Sequence, residues 1–219
     1  MYNLVFDTTA GACCVCLQKY GKALQTFSED MDFGQAEALL PAIKDMLDKQ
    51  NMTMSDLDAI CVCTGPGSFT GVRACVSAAR AFSLALPECK VIGVSAFEAY
   101  LGELAQDELA EINAVIIETK REDFYYQLFN AKKEPLCAPS SADYEDIIAL
   151  LRGKKVSLVG DGVERFLSRP SGLSLHCIRI ENHLPIESLA DCAYRKYERK
   201  AFDFPKPLYI KAPDIGTKK

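Results

Sequence analysis

The stretch TGPGSFTGVRACVSAARAFSLAL, residues 64–86, decides the reading of this chain. It starts as a turn and ends as a helix. Gly65, Gly67 and Gly71 are of the type used where a backbone takes positive φ or approaches another group closely. Pro66 fixes its own φ and biases Gly65 away from the helical region. Apolar Ile60 and Val62 lead in, and Ser68 and Thr70 are both candidate N-caps. The unit reads strand, glycine-rich turn, helix N-terminus. Such a unit aims backbone N–H groups above the strand end and favours anions there. It lacks the Lys-Ser/Thr ending of a P-loop and the spacing of a dinucleotide fingerprint.

The helix carries three lines. Ala74, Ala78, Ala81 and Ala85 form a row that lets another helix come close, and Arg73, Ser77 and Arg80 form a polar line beside it. Cys75, Ala79, Phe82 and Leu86 form an apolar line on the other side. Two non-polar lines let one helix pack on its own sheet and still present a face to a partner.

Upstream, residues 3–6 read as a short strand ending in Asp7-Thr8-Thr9, followed by strands over 13–17 and 23–27. Three strands with short turns predict an antiparallel meander. The period then changes. Phe33, Ala36, Leu39, Leu40, Ile43, Met46 and Leu47 follow helical spacing, with Pro41 inside the pattern, where it removes a backbone bond. Residues 58–63 form the strand that enters the central turn. Downstream, 90–94 is a strand, and Ser95 with Glu98 is a capping box opening a helix to about Leu104.

The second half begins a similar cycle. Strands are predicted over 114–117, 124–129, 156–159 and 175–178, with a helix marked by Tyr144, Ile147, Ile148 and Leu151. Gly160-Asp161-Gly162 is a second glycine turn, and a last helix starts at Pro185. From Pro205 the tail is Pro- and Lys-rich and extended, with Leu208-Tyr209-Ile210 the part expected to dock. The expectation is an α/β chain of two related βββαβα lobes, 1–104 and 105–219, whose final helix packs back on the first lobe. Asp7 and both glycine turns would meet at a cleft between them, the default place for a ligand.

Composition limits the function classes. The chain has 219 residues, 49% hydrophobic and 25% charged, as in a globular protein with a substantial core. Net charge is −5 and no basic block stands out, so direct gripping of RNA phosphates is not expected. The N-terminus lacks a signal pattern and no apolar run reaches membrane length, giving the expectation of a cytoplasmic protein with no membrane partner. The ten cysteines then read as reduced thiols. Cys14/Cys16 and Cys61/Cys63 are C-x-C pairs, which lack the gap of a structural zinc site and read as small buried hydrophobes.

Several strings resemble the TsaB (YeaZ) family: Leu4-Val5-Phe6-Asp7-Thr8-Thr9, Leu39-Leu40-Pro41, GPGSFTGVR, Val91-Ile92-Gly93-Val94-Ser95 and Pro207-Leu208-Tyr209-Ile210-Lys211. Glu118-Thr119-Lys120-Arg121 departs from the Asp-Ala-Arg turn of many relatives. The resemblance implies the actin, sugar kinase and Hsp70 fold. It implies a non-catalytic relative of TsaD, the enzyme that places a threonylcarbamoyl group on an adenosine beside the anticodon of tRNA. The implied partners are TsaD, the ATPase TsaE, and a second copy when alone, with tRNA met only indirectly.

TsaD holds its metal with two histidines one helical turn apart. Here Gln35 and Leu39 stand at those places, so no metal site is expected. The implied interface is a four-helix bundle using Leu39, Ile43, Met46, Arg73, Ala74, Ser77, Ala78, Ala81 and Ala85. The implied nucleotide site, for weak ATP or ADP without firm cofactor status, is Asp7, Thr8, Thr9, Gly65, Gly67 and Ser68.

Asp7 has two readings, a carrier of magnesium-bound water or a strand-end Asx turn. Asp161 is either turn chemistry or a ribose contact. Ser68 reads as a cap rather than a nucleophile. The alternative function is a nucleotide-hydrolysing or proteolytic enzyme using the cleft. His176 and His183, the two histidines of the chain, are seven positions apart, and neither sits in a recognisable triad context.

Overall fold

The computed structural model describes residues 1–202 and 204–211. β1 (Tyr2–Asp7), β2 (Ala12–Lys19) and β3 (Lys22–Asp30) form the expected meander. α1 (Gln35–Lys49), β4 (Ala59–Cys63), α2 (Phe69–Ala85), β5 (Lys90–Val94) and α3 (Ala96–Gly102) come next. β4 pairs parallel with both β1 and β5, giving the order β3-β2-β1-β4-β5.

The second half repeats this plan. It comprises β6 (Ile112–Glu118), β7 (Phe124–Phe129), β8 (Ser140–Ala142), α4 (Tyr144–Leu151), β9 (Lys155–Gly160), α5 (Val163–Leu167), β10 (Ser174–Ile180) and α6 (Ile186–Glu198). Its sheet runs β8-β7-β6-β9-β10, with β6–β7 and β7–β8 antiparallel and the other pairs parallel. The short β8 and α5 escaped the sequence reading because three and five residues are too few to display a period.

Local chemistry fixes the helix starts. Ser95 Oγ accepts from Glu98 N at 3.2 Å, while Glu98 Oε2 accepts from Ser95 N at 2.9 Å, closing the predicted box. Asp143 caps α4 by accepting from Asp146 N at 3.0 Å. α1 starts later than its apolar pattern suggests. Gly34 sits at its N-cap with φ 91°, and Phe33 lies outside the helix, 90% exposed. The left-handed glycine turns the chain before the first helical residue, so Phe33 points to solvent.

Three apolar clusters hold the molecule. One lies between the first sheet and α1–α2, and includes Leu4, Phe6, Leu39, Ile43, Met46 and Cys75. A second lies between the other sheet and α4–α5, around Phe124, Ile147 and Phe166. The third joins the lobes. It combines Val5, Cys14, Cys61 and Ile92 of the first sheet with Val115 and Val159 of the second, filled by Phe97, Tyr100, Leu189 and Ala193.

Here the helices are exchanged: α3 packs on β6 and β9, whereas α6 packs on β1, β2, β4 and β5. At the α3–α6 crossing, a Cβ on Gly102 would lie 2.0 Å from Ser188 Oγ, and that hydroxyl donates to Ala99 O at 2.6 Å. All ten cysteines are free thiols. Burial pushes Cys14 and Cys16 up to about 12, consistent with their use as small hydrophobes.

Candidate functional site

The end of β1 meets the turn before α2. Asp7 is buried, and its Oδ1 accepts from Thr9 N at 3.0 Å, which is the Asx turn. Its Oδ2 has no hydrogen-bond partner, and burial pushes the carboxyl above its usual range. Thr8 Oγ1 donates to Gly71 O at 2.9 Å, and Thr8 N points at Cys75 Sγ at 3.1 Å. Ser68 caps α2, accepting from Gly71 N at 3.3 Å, while Thr70 lies inside the helix.

The glycines have a specific partner. A Cβ on Gly67 would lie 2.4 Å from Thr9 O, and one on Gly71 would lie 1.9 Å from Thr8 O. Ser68 N donates to Thr9 O at 2.7 Å. The close approach signalled by the sequence is therefore between two stretches of this chain.

All six residues read as a nucleotide site come together, largely on one another. Thr9, Gly67 and Ser68 line a cavity of about 840 Å³ between the lobes; Asp7, Thr8 and Gly65 lie behind its wall. Three amides that a phosphate would need at this turn, those of Thr9, Ser68 and Gly71, are already engaged. A carboxyl walled off behind the cavity lining, with one oxygen spent on the Thr9 amide, is also poorly placed to carry a hydrated cation. The donor set here does not fit a phosphate-and-magnesium cradle.

The facing wall is built the same way. Gly160 has φ 130°, and a Cβ there would lie 2.2 Å from Ile116 O. Glu118, at the end of β6, donates its amide to Asp161 Oδ1 at 2.9 Å. Burial pushes Asp161 up to about 6, and Tyr100 reaches it from α3. Glu118 is held differently. Burial raises it, but the Arg165 guanidinium, at 2.6 Å and 2.8 Å, together with the Lys120 and Thr119 amides, outweighs this and lowers it. Sequence reading missed the Glu118–Arg165 pair, whose members lie 47 positions apart.

The predicted interface separates into two sets. Leu39, Ile43 and Met46 are 2%, 3% and 1% exposed inside the protein's own core, so they present nothing to a partner. α1 lies directly on β2, and that strand consumes its apolar line. On α2, Arg73, Ser77, Ala81 and Ala85 are exposed, with Ala74 and Ala78 half-buried beside them. Arg73 lies 3.9 Å from the Phe69 ring centroid and donates to Tyr209 OH at 3.3 Å. The exposed apolar side chains here are Leu40 (56%) and Leu84 (87%). Leu84 falls seven residues after Ser77 and three after Ala81, a helical spacing that could have flagged it.

Ser68 has neither histidine among its contacts. His176 Nε2 lies 2.9 Å from Asp107 O, and His183 faces Ser28, Asp30 and Leu184 O. No group of three His, Cys, Asp or Glu suited to a metal occurs among the described residues. Nor is any helix among them long and apolar enough to cross a membrane.

Two mixed sheets of one topology, with glycine turns facing across a cleft, define the actin-like ATPase, sugar kinase and Hsp70 fold class. The solved YeaZ from Pseudomonas aeruginosa superposes with TM-score 0.80 over 95% of this chain and 99% of its own, at 23% identity. The ethanolamine utilization protein EutJ from Carboxydothermus hydrogenoformans gives 0.54 over 89% and 90%, at 12% identity.

The family model described as "TsaD: tRNA N6-adenosine threonylcarbamoyltransferase" matches residues 34–160. The Haemophilus influenzae tRNA threonylcarbamoyladenosine biosynthesis protein TsaB is 28% identical, across 95% of this chain and 92% of its own length. Its Escherichia coli namesake is 35% identical over 43% and 40%. The chain belongs to the family of that model, and the curated relatives it aligns with along most of its length bear the name TsaB.

Proposed function

We propose that this chain is a non-catalytic scaffold subunit in the synthesis of N6-threonylcarbamoyladenosine in tRNA. It pairs with a TsaD-type catalytic subunit, works alongside a TsaE-type ATPase, and self-associates when alone. The observation carrying this reading is that relatives aligned along most of the chain bear that biosynthetic name. The open strip of Ser77, Ala81, Leu84 and Ala85 on α2, together with the exposed Leu40 of α1, supports the pairing. Small residues let a second helix pair approach, while the two leucines supply apolar area. The charge of −5 supports indirect contact with tRNA.

The alternative, hydrolysis of nucleotide or peptide in the cleft, draws support from a related structure described as similar to the peptidase YEAZ. The engaged amides and the buried Asp7, set behind the cavity wall, weigh against it. On this reading ATP or ADP binds weakly at best and is not turned over.

The test is reconstitution. TsaD, TsaE, threonylcarbamoyl-adenylate and unmodified tRNA are combined with and without this chain, and the modified nucleoside is quantified. The expected result is modification only with the chain present, and no ATP turnover by the chain alone. Turnover lost in Asp7→Ala would show an enzyme where a scaffold is proposed.

A further inference from the structure

Residues 204–211 form neither helix nor strand, yet they touch both lobes. Pro205 O accepts from Arg80 Nε at 3.2 Å and Nη2 at 3.0 Å. Leu208 N donates to Thr64 O at 2.8 Å. The Tyr209 ring lies 5.4 Å from Phe69, and its hydroxyl accepts from Arg73. Lys211 then pairs with Asp123, in the turn between β6 and β7 of the other lobe. Leu208, Tyr209, Ile210 and Lys211 form one wall of the inter-lobe cavity.

This wall is held unlike the strand-end walls. Thr9, Gly67, Ser68 and Asp161 belong to strand ends and helix starts fixed by closely packed glycines and backbone bonds, whereas the 31–34 and 119–121 turns complete the lining from the surface. Among the described residues, the segment has one backbone–backbone bond to the body, from Leu208 to Thr64. Pro205 is buried and Leu208 and Ile210 pack partly buried against the cluster that joins the lobes, but Phe204 and Tyr209 are 52% and 47% exposed. Exposed side-chain contacts open locally far more readily than a buried ladder. Asp123 is also tied to its own lobe by Ser141 Oγ at 2.6 Å, so the lobe keeps its shape when Lys211 leaves.

We propose that residues 204–211 are a releasable gate of the cleft, latched to the second lobe by Lys211–Asp123 and anchored on α2 by Phe69, Arg73 and Arg80. Opening the latch gives the cavity a second mouth. Lifting the anchor also frees Arg80 and releases Arg73 from Tyr209, leaving it on the Phe69 ring, so occupation of that flank of α2 and opening of the cleft are one event. The gate rests on the cleft geometry and is independent of the biosynthetic reading.

Lys211→Ala and Tyr209→Ala in the full chain test it, by peptide-resolved hydrogen exchange beside thermal melting. Lys211→Ala removes an ion pair whose lysine is 41% exposed and leaves Asp123 its Ser141 partner, so its melting temperature should stay within about 3 °C of the parent. Exchange in the 119–123 turn should rise at least about fivefold, with both sheets unchanged. Tyr209→Ala should extend the rise to residues 64–72. Unchanged exchange in both variants would make the segment a static wall and overturn the gate. A uniform rise across both sheets would also overturn it, because the segment would then be a general stability element. Should Tyr209→Ala fail to fold, Lys211→Ala alone decides.

Discussion

The two lobes share one strand order and one way of seating a glycine turn, but the helices beyond those turns differ. The first turn leads into α2, 17 residues long; the second leads into α5, of five. α1 has 15 residues and its counterpart α4 has eight. The strand-end acids differ as well. Asp7 is buried with one oxygen unpartnered, whereas Glu118 is clasped by Arg165. Both lobes keep backbone packed on backbone, where a single added carbon cannot be accommodated. Helix length and acid partnering have diverged, and these set the outer surface and the charge of the cleft.

The largest expected effect tests the shared part. Gly71→Ala places a Cβ against Thr8 O, and Gly160→Ala places one against Ile116 O in a left-handed conformation as well. Each should cost roughly 3 kcal/mol or more, a fall of at least about 6–12 °C in Tm. Gly11→Ala, with nothing within 4 Å, is the control and should melt like the parent. A large loss in one lobe only would break the equivalence.

The next effect tests the divergent helix. Ala81→Arg lies on the exposed strip, so its melting temperature should hold. Association with TsaD, measured by titration calorimetry, should weaken by about 30-fold or more if the strip is at the centre of the contact. Undiminished binding would take the strip out of that interface.

The acids give a pH contrast of opposite sign. Asp161 is raised in the folded protein, so its contribution is fully present below its unfolded pKa and is lost as pH rises through about 6. Asp161→Asn should therefore gain roughly 1–3 kcal/mol over the parent at pH 8, an advantage that vanishes below about pH 4. Glu118 is lowered, so its contribution is present above its unfolded pKa and is lost as pH falls through the folded one. Glu118→Gln should cost about 1 kcal/mol near pH 7, the smallest effect, because Arg165 remains 36% exposed and water screens it. Urea titrations at three pH values separate the two acids.

The order of elements was legible because period, caps and turn residues are local. Ser95 and Glu98 announced their helix three residues apart. Interface assignment was harder, because periodicity says which residues share a face but not what covers it. Leu39, Ile43 and Met46 share a face, and β2 covers it. The glycine turn signalled a close approach without naming the partner, since Thr8 lies 63 positions before Gly71. The Arg73–Tyr209 contact spans 136 positions, beyond any local pattern.

The exchange of α3 and α6 has a consequence for synthesis. The face of the first sheet that carries Cys14, Cys16, Cys61 and Cys63 is sealed by a helix that ends at Glu198. A ribosome completes all five strands of that sheet, the last ending at Val94, long before it completes this cover. Until then the nascent chain holds an unsealed apolar surface lined with thiols, the kind of surface that recruits chaperones. Oxidants would reach those sulfurs during translation, and the completed fold would close them off.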